Sequence, residues 1–303
     1  MPIDEINKTL FVGGGTMGCF NSLVAGIAGY EVVVYDISQE ALDQAPERWQ
    51  MIAQRSIEKG IFTKEIIDAG LSRITLTTDL EKAVENADFL SESVPEKLEL
   101  KRKVHQQFDQ LLPPHTIMTT NSSSLVVSEI EDVVKRGDKF AAFHFHLGST
   151  LVDITRGPRT SSETIDILKR YARSIGQIPL LLKKEKHGHI FNSMLIGYMK
   201  EAFLLVIDGY ADIEDVDRAW MIVNSSEAGP FGGLDSVGLD VVFDILSAQA
   251  ERAEGRREEY NKIINFLKPY IERGDLGVKT GKGFYTYPDA AWQQPDFLTG
   301  GEQ

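Results

Sequence analysis

Cysteine is nearly missing from this sequence. Cys19 is the single one among 303 residues, so no internal disulfide can form and a reducing compartment is the natural expectation. Basic charge is also in short supply: 32 Lys and Arg stand against 45 Asp and Glu, a formal net charge of -13. That balance excludes nucleic acid as the main partner, because phosphate backbones require a basic face. A phosphorylated substrate would need the few cations gathered near its site. No apolar run approaches the roughly 18 residues that a membrane span requires. The longest apolar pattern, Ile190 to Ile207, is interrupted by Asn192, Lys200 and Glu201. The opening Met-Pro-Ile-Asp-Glu-Ile has neither a basic n-region nor an apolar h-region, so no signal peptide is expected. A soluble, cytoplasmic protein with no membrane partner is the expectation.

What is present is ordinary globular composition, 42% hydrophobic and 25% charged, in a chain long enough for two cores. Residues 8–36 read as strand, glycine turn, helix and strand, with Leu10-Phe11-Val12 and the β-branched Glu31-Val32-Val33-Val34-Tyr35 as the strands. Helices are predicted near 38–59, bent or broken by Pro46, and near 63–70, with Thr63 as N-cap. Strands near 74–76, 89–90, 116–119 and 140–143 then alternate with helices around 79–86, 95–112 and after Ser124. One further helix and the strand Ile178 to Leu182 close the series. Such alternation predicts an α/β fold with an N-terminal Rossmann-type doubly wound sheet. Past Lys186 the spacing is helical only, through Ile190, Met194, Ile196, Met199, Phe203 and Val206. The domains are therefore placed at 1–186, the dinucleotide-binding sheet, and 187–303, an all-helical C-terminal domain. No internal repeat is visible, and the tail from Ala291 to Gln303 reads as frayed.

Gly13-Gly14-Gly15-Thr16-Met17-Gly18 carries the first chemistry. A G-x-G-x-x-G alone is weak, but here it follows a predicted strand, opens a helix, and precedes an aspartate, Asp36, at the end of the next strand. Gly13 permits the tight turn, Gly15 lets the backbone approach a pyrophosphate, and Gly18 lets helix and strand pack closely. The helix start, with Thr16 and Met17, supplies amides and partial positive charge for phosphates. Asp36 accepts ribose hydroxyls and repels a 2′-phosphate, and Ile37-Ser38 offers no arginine, so NAD is expected over NADP.

Further blocks follow: Val94-Pro95-Glu96-Lys97-Leu98-Glu99-Leu100-Lys101, Asn121-Ser122-Ser123-Ser124-Leu125 and Phe140-Ala141-Ala142-Phe143-His144-Phe145. Gly229-Pro230-Phe231, Gly238-Leu239-Asp240 and the run from Gly277 to Tyr285 complete the order. In that order and spacing the chain, from Leu10 to Tyr287, resembles the 3-hydroxyacyl-CoA dehydrogenase family and its diketoreductase-like, carnitine and gulonate dehydrogenase relatives. The resemblance implies that Ser123 and Asn192 hold the substrate oxygen, that His144 removes the hydroxyl proton, and that a downstream carboxylate orients it. It also implies that Glu96, Lys101 and Lys279 lie by the nicotinamide half of NAD, with Ser123 nearby, and that the chain pairs as a homodimer. The chemistry agrees: alcohol oxidation needs a base as the hydride leaves, and imidazole titrates near 6.5. Read locally, Ser123 is also a plausible helix N-cap.

After His144 the pattern departs. Relatives continue with Asn-Pro and a longer loop to Leu-Val-Glu, whereas this chain has a shorter stretch, no Asn-Pro, and Leu151-Val152-Asp153. Asp153 is thus expected to replace the glutamate. His146 shares the strand face of His144 and either lines the pocket or packs, while His187 and His189 read as solvated or lightly packed. No metal site is expected, because His144 and His146 have no third acidic or cysteine ligand at a recognisable spacing. The substrate reading stays open between an L-3-hydroxyacyl-CoA and a free 3-hydroxy acid or diketo ester, with a non-catalytic, crystallin-like NAD-binding protein as a third alternative. Arg48, Arg55, Lys59 and Lys64 lie on the segment where the family meets CoA, which gives the first reading slight support.

Overall fold

The apolar runs form one eight-stranded sheet in a computed structural model that describes residues 2–252 and 255–300. Its strands are β1 (Lys8–Val12), β2 (Glu31–Tyr35), β3 (Ile74–Thr77), β4 (Phe89–Glu92), β5 (Ile117–Thr120), β6 (Phe140–Phe145), β7 (Leu151–Arg156) and β8 (Ile178–Leu182). They lie in the order β3-β2-β1-β4-β5-β6-β7-β8, and every neighbouring pair is parallel except β6 with β7. The order reverses between β1 and β4, the place where a doubly wound sheet opens a crevice at its carboxyl ends.

Pleating sends alternate residues to two separate cores. Phe11, Val34, Phe89, Phe143 and Ile154 join one, and Leu10, Val33, Leu90, Met118 and Ala142 join the other. Both faces are covered, as parallel strands require, by α1 (Thr16–Ile27), α2 (Gln39–Asp43), α3 (Ala45–Glu58), α4 (Lys64–Leu71), α5 (Leu80–Val84), α6 (Leu98–Leu111) and α7 (Ser162–Ser174). Pro46 does break the predicted long helix: Gln44 ends α2, and Pro46 sits in the first turn of α3, where its missing N–H is harmless. Thr63 caps α4 by accepting from Ile66 N at 3.4 Å.

The secondary structure differs from the sequence reading at two places. The helix after Ser124 is replaced by short 3₁₀ turns at Val127–Glu129, Glu131–Val133 and Gly137–Lys139. Residues 151–156, given no strand above, form β7, antiparallel to β6, because alternating Val152 and Ile154 enter the core.

Contacts divide the chain into two compact units, Met1–Ser193 and Met194–Gln303. The second is built from helices: most of α8 (Phe191–Ile207), then α9 (Ile213–Asn224), α10 (Pro230–Val237), α11 (Leu239–Arg252) and α12 (Arg257–Arg273). Phe203, Phe231, Leu239, Ile263 and Leu267 form its core. Two buried carboxylates tie it together. Asp217 accepts from Phe231 N at 2.7 Å, Gly232 N at 2.9 Å and Tyr285 OH at 2.9 Å. Asp235 accepts from Phe284 N and Tyr285 N, both at 2.9 Å. The tail is not frayed over its described part. Phe297 is buried, and Arg218 holds its carbonyl at 2.7 Å and stacks over its ring. Residues 301–303 lie outside the described residues. No described helix is long and apolar enough to cross a membrane.

Candidate active site

On one face of the sheet the strands change character as they reach their carboxyl ends. Leu90 gives way to Glu92 on β4, Met118 to Thr120 on β5, and Ala142 to His144 on β6, so an apolar core face ends in a polar patch. The β6–β7 register sets Asp153 directly opposite His144. Above this patch opens a cavity of about 290 Å³, lined by Met17, Ser93, Val94, Glu96, Lys101, Asn121, Ser123, His144, Phe145, His146, Leu147 and Asn192.

Asp153 is fully buried, and its Oδ2 lies 2.8 Å from His146 Nε2 but 3.8 Å from His144 Nδ1. The first is a hydrogen bond and the second is an electrostatic contact. The expected partnership of Asp153 with His144 is therefore shared, with His146 holding the closer place. Burial would raise the Asp153 pKa, but the two histidines outweigh it and hold the carboxyl down at about 2. Burial lowers the His144 pKa below 6.5; Asp153 pulls it back up, and charge on His146 adds to the lowering.

His189, expected to be solvated or lightly packed, is 2% exposed and stacks on His144 with centroids 4.7 Å apart and planes 23° apart. Its Nε2 is 2.9 Å from Ser122 O, and burial, with the charge of His144 adding, lowers its pKa to about 4, so it is neutral at ordinary pH. His187 is the exposed one of the pair and meets Ser124 O at 2.7 Å. Ser123 is no N-cap: Ser122 Oγ accepts from Leu125 N at 2.9 Å instead, while Ser123 lines the cavity.

A second polar cluster forms the opposite wall. Lys101, 1% exposed, donates to Glu92 at 2.6 Å and to Val94 O at 3.0 Å, and lies 3.2 Å from Glu96. Glu92 also meets His105 Nε2 at 3.2 Å and accepts from Thr120 Oγ1 at 2.8 Å. Although burial opposes it, His105 and Lys101 hold the Glu92 carboxyl ionised, well below the usual range. Glu96 accepts from Ser122 Oγ and, at 2.8 Å, from Ser124 N.

The glycine turn beside the cavity fits a dinucleotide. Gly13 sits at φ +110, and a Cβ there would lie 2.8 Å from Ser93 O. A Cβ on Gly18 would fall 1.8 Å from Gly13 O, so the helix packs on the turn only without a side chain. A Cβ on Gly15 would meet no atom within 4 Å, leaving open space where a pyrophosphate approaches. Asp36 accepts from Gly14 N at 2.7 Å and from Ser38 N at 2.9 Å, which fixes its carboxylate at the end of β2.

Two family models match end to end: the NAD binding domain of 3-hydroxyacyl-CoA dehydrogenase over residues 8–185 and its C-terminal domain over 188–287. The chain belongs to the 3-hydroxyacyl-CoA dehydrogenase family. It is similar to a probable 3-hydroxybutyryl-CoA dehydrogenase of Bacillus subtilis (strain 168), 30% identical over 94% of this chain and 99% of that one. Among solved structures it resembles a diketoreductase, with 33% identity, TM-score 0.84, and 94% and 100% of the two chains covered. It also resembles (S)-3-hydroxybutyryl-CoA dehydrogenase of Ralstonia eutropha, with 27% identity, TM-score 0.82, and the same coverage. This 3-hydroxyacyl-CoA dehydrogenase family member is an NAD-dependent oxidoreductase, and the glycine turn from Gly13 to Gly18 lies within its NAD binding domain.

Three further observations concern residues named from the sequence. Lys279 belongs to the second unit, where its Nζ pairs with Asp240 at 2.5 and 2.6 Å. Arg48, counted above as a cation for CoA, is tied to Gly14 O at 3.1 Å, Ala41 O at 2.8 Å and Gln44 at 2.6 Å, and Lys64 pairs with Asp68. The acidic neighbour that His144 and His146 lacked in local sequence is supplied across the hairpin by Asp153; the three side chains' polar atoms lie within 4.8 Å of one another. Glu92 was missed altogether, Ser122 was given no role of its own, and His189 was not placed at the site.

Proposed function

We propose that the chain interconverts an L-3-hydroxyacyl-CoA and its 3-oxoacyl-CoA, with His144 as the acid–base group. The observation that carries this reading is the cross-strand pair: a buried carboxylate faces one nitrogen of an imidazole that also borders a cavity lined by Ser123 and Asn192. The glycine turn from Gly13 to Gly18 and Asp36 would hold NAD, which would supply the hydride acceptor. In the oxidation His144 accepts the hydroxyl proton on the nitrogen remote from Asp153, and the carboxylate stabilises the resulting imidazolium. Ser123 and Asn192 hold the substrate oxygen by hydrogen bonds. In the reduction the same nitrogen returns the proton. His144's lowered pKa suits a base, because it is unprotonated when the alcohol arrives.

A second reading, reduction of a free 3-oxo acid or a diketo ester, has its own support. The solved neighbour at 33% identity is described as a diketoreductase acting on dicarbonyl compounds, and Arg48 and Lys64 are engaged within the fold. NADH oxidation assayed with acetoacetyl-CoA, acetoacetate and a 3,5-diketo ester separates the two. Acetoacetyl-CoA is expected to give the highest kcat/KM. Faster turnover of either CoA-free compound would transfer the assignment to the second reading.

A further inference from the structure

We propose that His146 is a positioning residue that divides the Asp153 carboxylate with His144 and so sets the pH range over which the base works. The inference rests on His144 being the base. His146 is the first residue beyond β6, and its Nε2 holds Asp153 Oδ2 at 2.8 Å, a full ångström closer than His144 Nδ1. His144 Nδ1 and Asp153 Oδ1 are both buried without a hydrogen-bond partner. A carboxylate has lone pairs for two imidazoles, yet here its short bond goes to the histidine that is not the base. The His146 ring is kept in place edge-on, 4.6 Å from the His144 centroid and 5.6 Å from that of Phe191.

The groups facing His144 decide the sign. Asp153 on β7 and Glu96 from the loop after β4 favour its charged form. His146 and burial oppose that form, and the stacked His189 is neutral. With His146 gone, Asp153 has only His144 left to serve and one positive neighbour is removed. Both changes make His144 easier to protonate, so the acid limb of kcat for oxidation must move to higher pH.

His146→Phe removes the donor, and His146→Gln keeps an N–H donor without a titrating charge. In His146→Phe the acid limb of kcat and the NMR titration midpoint of His144 are both expected to rise by about one pH unit, a tenfold change in proton affinity. In His146→Gln the rise is expected to be less than half as large. The cofactor's Kd is expected to stay within about twofold in both. An unmoved or lowered His144 midpoint in His146→Phe would overturn the inference. Should that variant not fold, ¹⁵N spectra of the wild-type protein decide: His146 must carry a proton on Nε2, and a neutral ring protonated only on Nδ1 would contradict the assignment. The NMR midpoints need no turnover, so they test His146 even where the activity assay defeats the proposed reaction.

Discussion

Single carboxylates carry the sharpest consequences in this dehydrogenase. Asp36 is anchored by Gly14 N and Ser38 N at the end of β2, where a 2′-phosphate would have to lie against it. NADH is therefore expected to give at least about tenfold higher kcat/KM than NADPH, roughly 1.4 kcal/mol of discrimination. Steady-state kinetics with both nucleotides check this, and Asp36→Ala is expected to narrow the ratio. Asp153→Asn keeps the side-chain size but removes the charge that stabilises a protonated His144. It is expected to lower kcat by about two powers of ten with little change in NADH affinity. The pH dependence follows from direction alone. His144 is depressed below 6.5, so oxidation holds through neutral pH and falls as pH drops through that lower value. Asp153, depressed to about 2, contributes stability that is complete above its unfolded value and is lost as pH falls toward 2.

Among the elements, the β6–β7 hairpin and the carboxylate ties of the helical unit matter most. Asp217→Ala would leave Phe231 N and Gly232 N buried without their acceptor, a cost of about 3 kcal/mol, which urea unfolding of the whole chain will show as a lowered midpoint at unchanged m. The elements also show what was legible beforehand. The β1–turn–α1–β2 unit was readable because its signal is local: two apolar runs, glycines at fixed offsets and one aspartate. Leu151–Arg156 was missed as a strand although Val152 and Ile154 alternate with Asp153 and Thr155, a period of two that did carry the information. The stretch after Ser124 was misread as a helix; only short 3₁₀ turns form there, and Ser122 Oγ takes Leu125 N ahead of them. His189 had no local signal at all. It is buried because Ser122 O and the His144 ring receive it from elsewhere in the fold, which sequence spacing cannot express.

For the whole molecule, the helical unit leaves large apolar side chains uncovered: Ile222 and Val223 on α9 and Val241 and Ile245 on α11. A two-fold dimer through this unit is the proposed assembly. Light scattering is expected to give about twice the chain mass of 33.8 kDa, and a stable monomer on dilution would contradict it. The central claim is that His144 performs the acid–base step on a 3-oxoacyl-CoA. NADH-dependent reduction of acetoacetyl-CoA by the wild-type protein and by His144→Ala tests it most directly. The account predicts turnover by the wild type and a kcat lower by about two to four powers of ten in the variant, with NADH affinity preserved. Near-normal kcat in His144→Ala would contradict it.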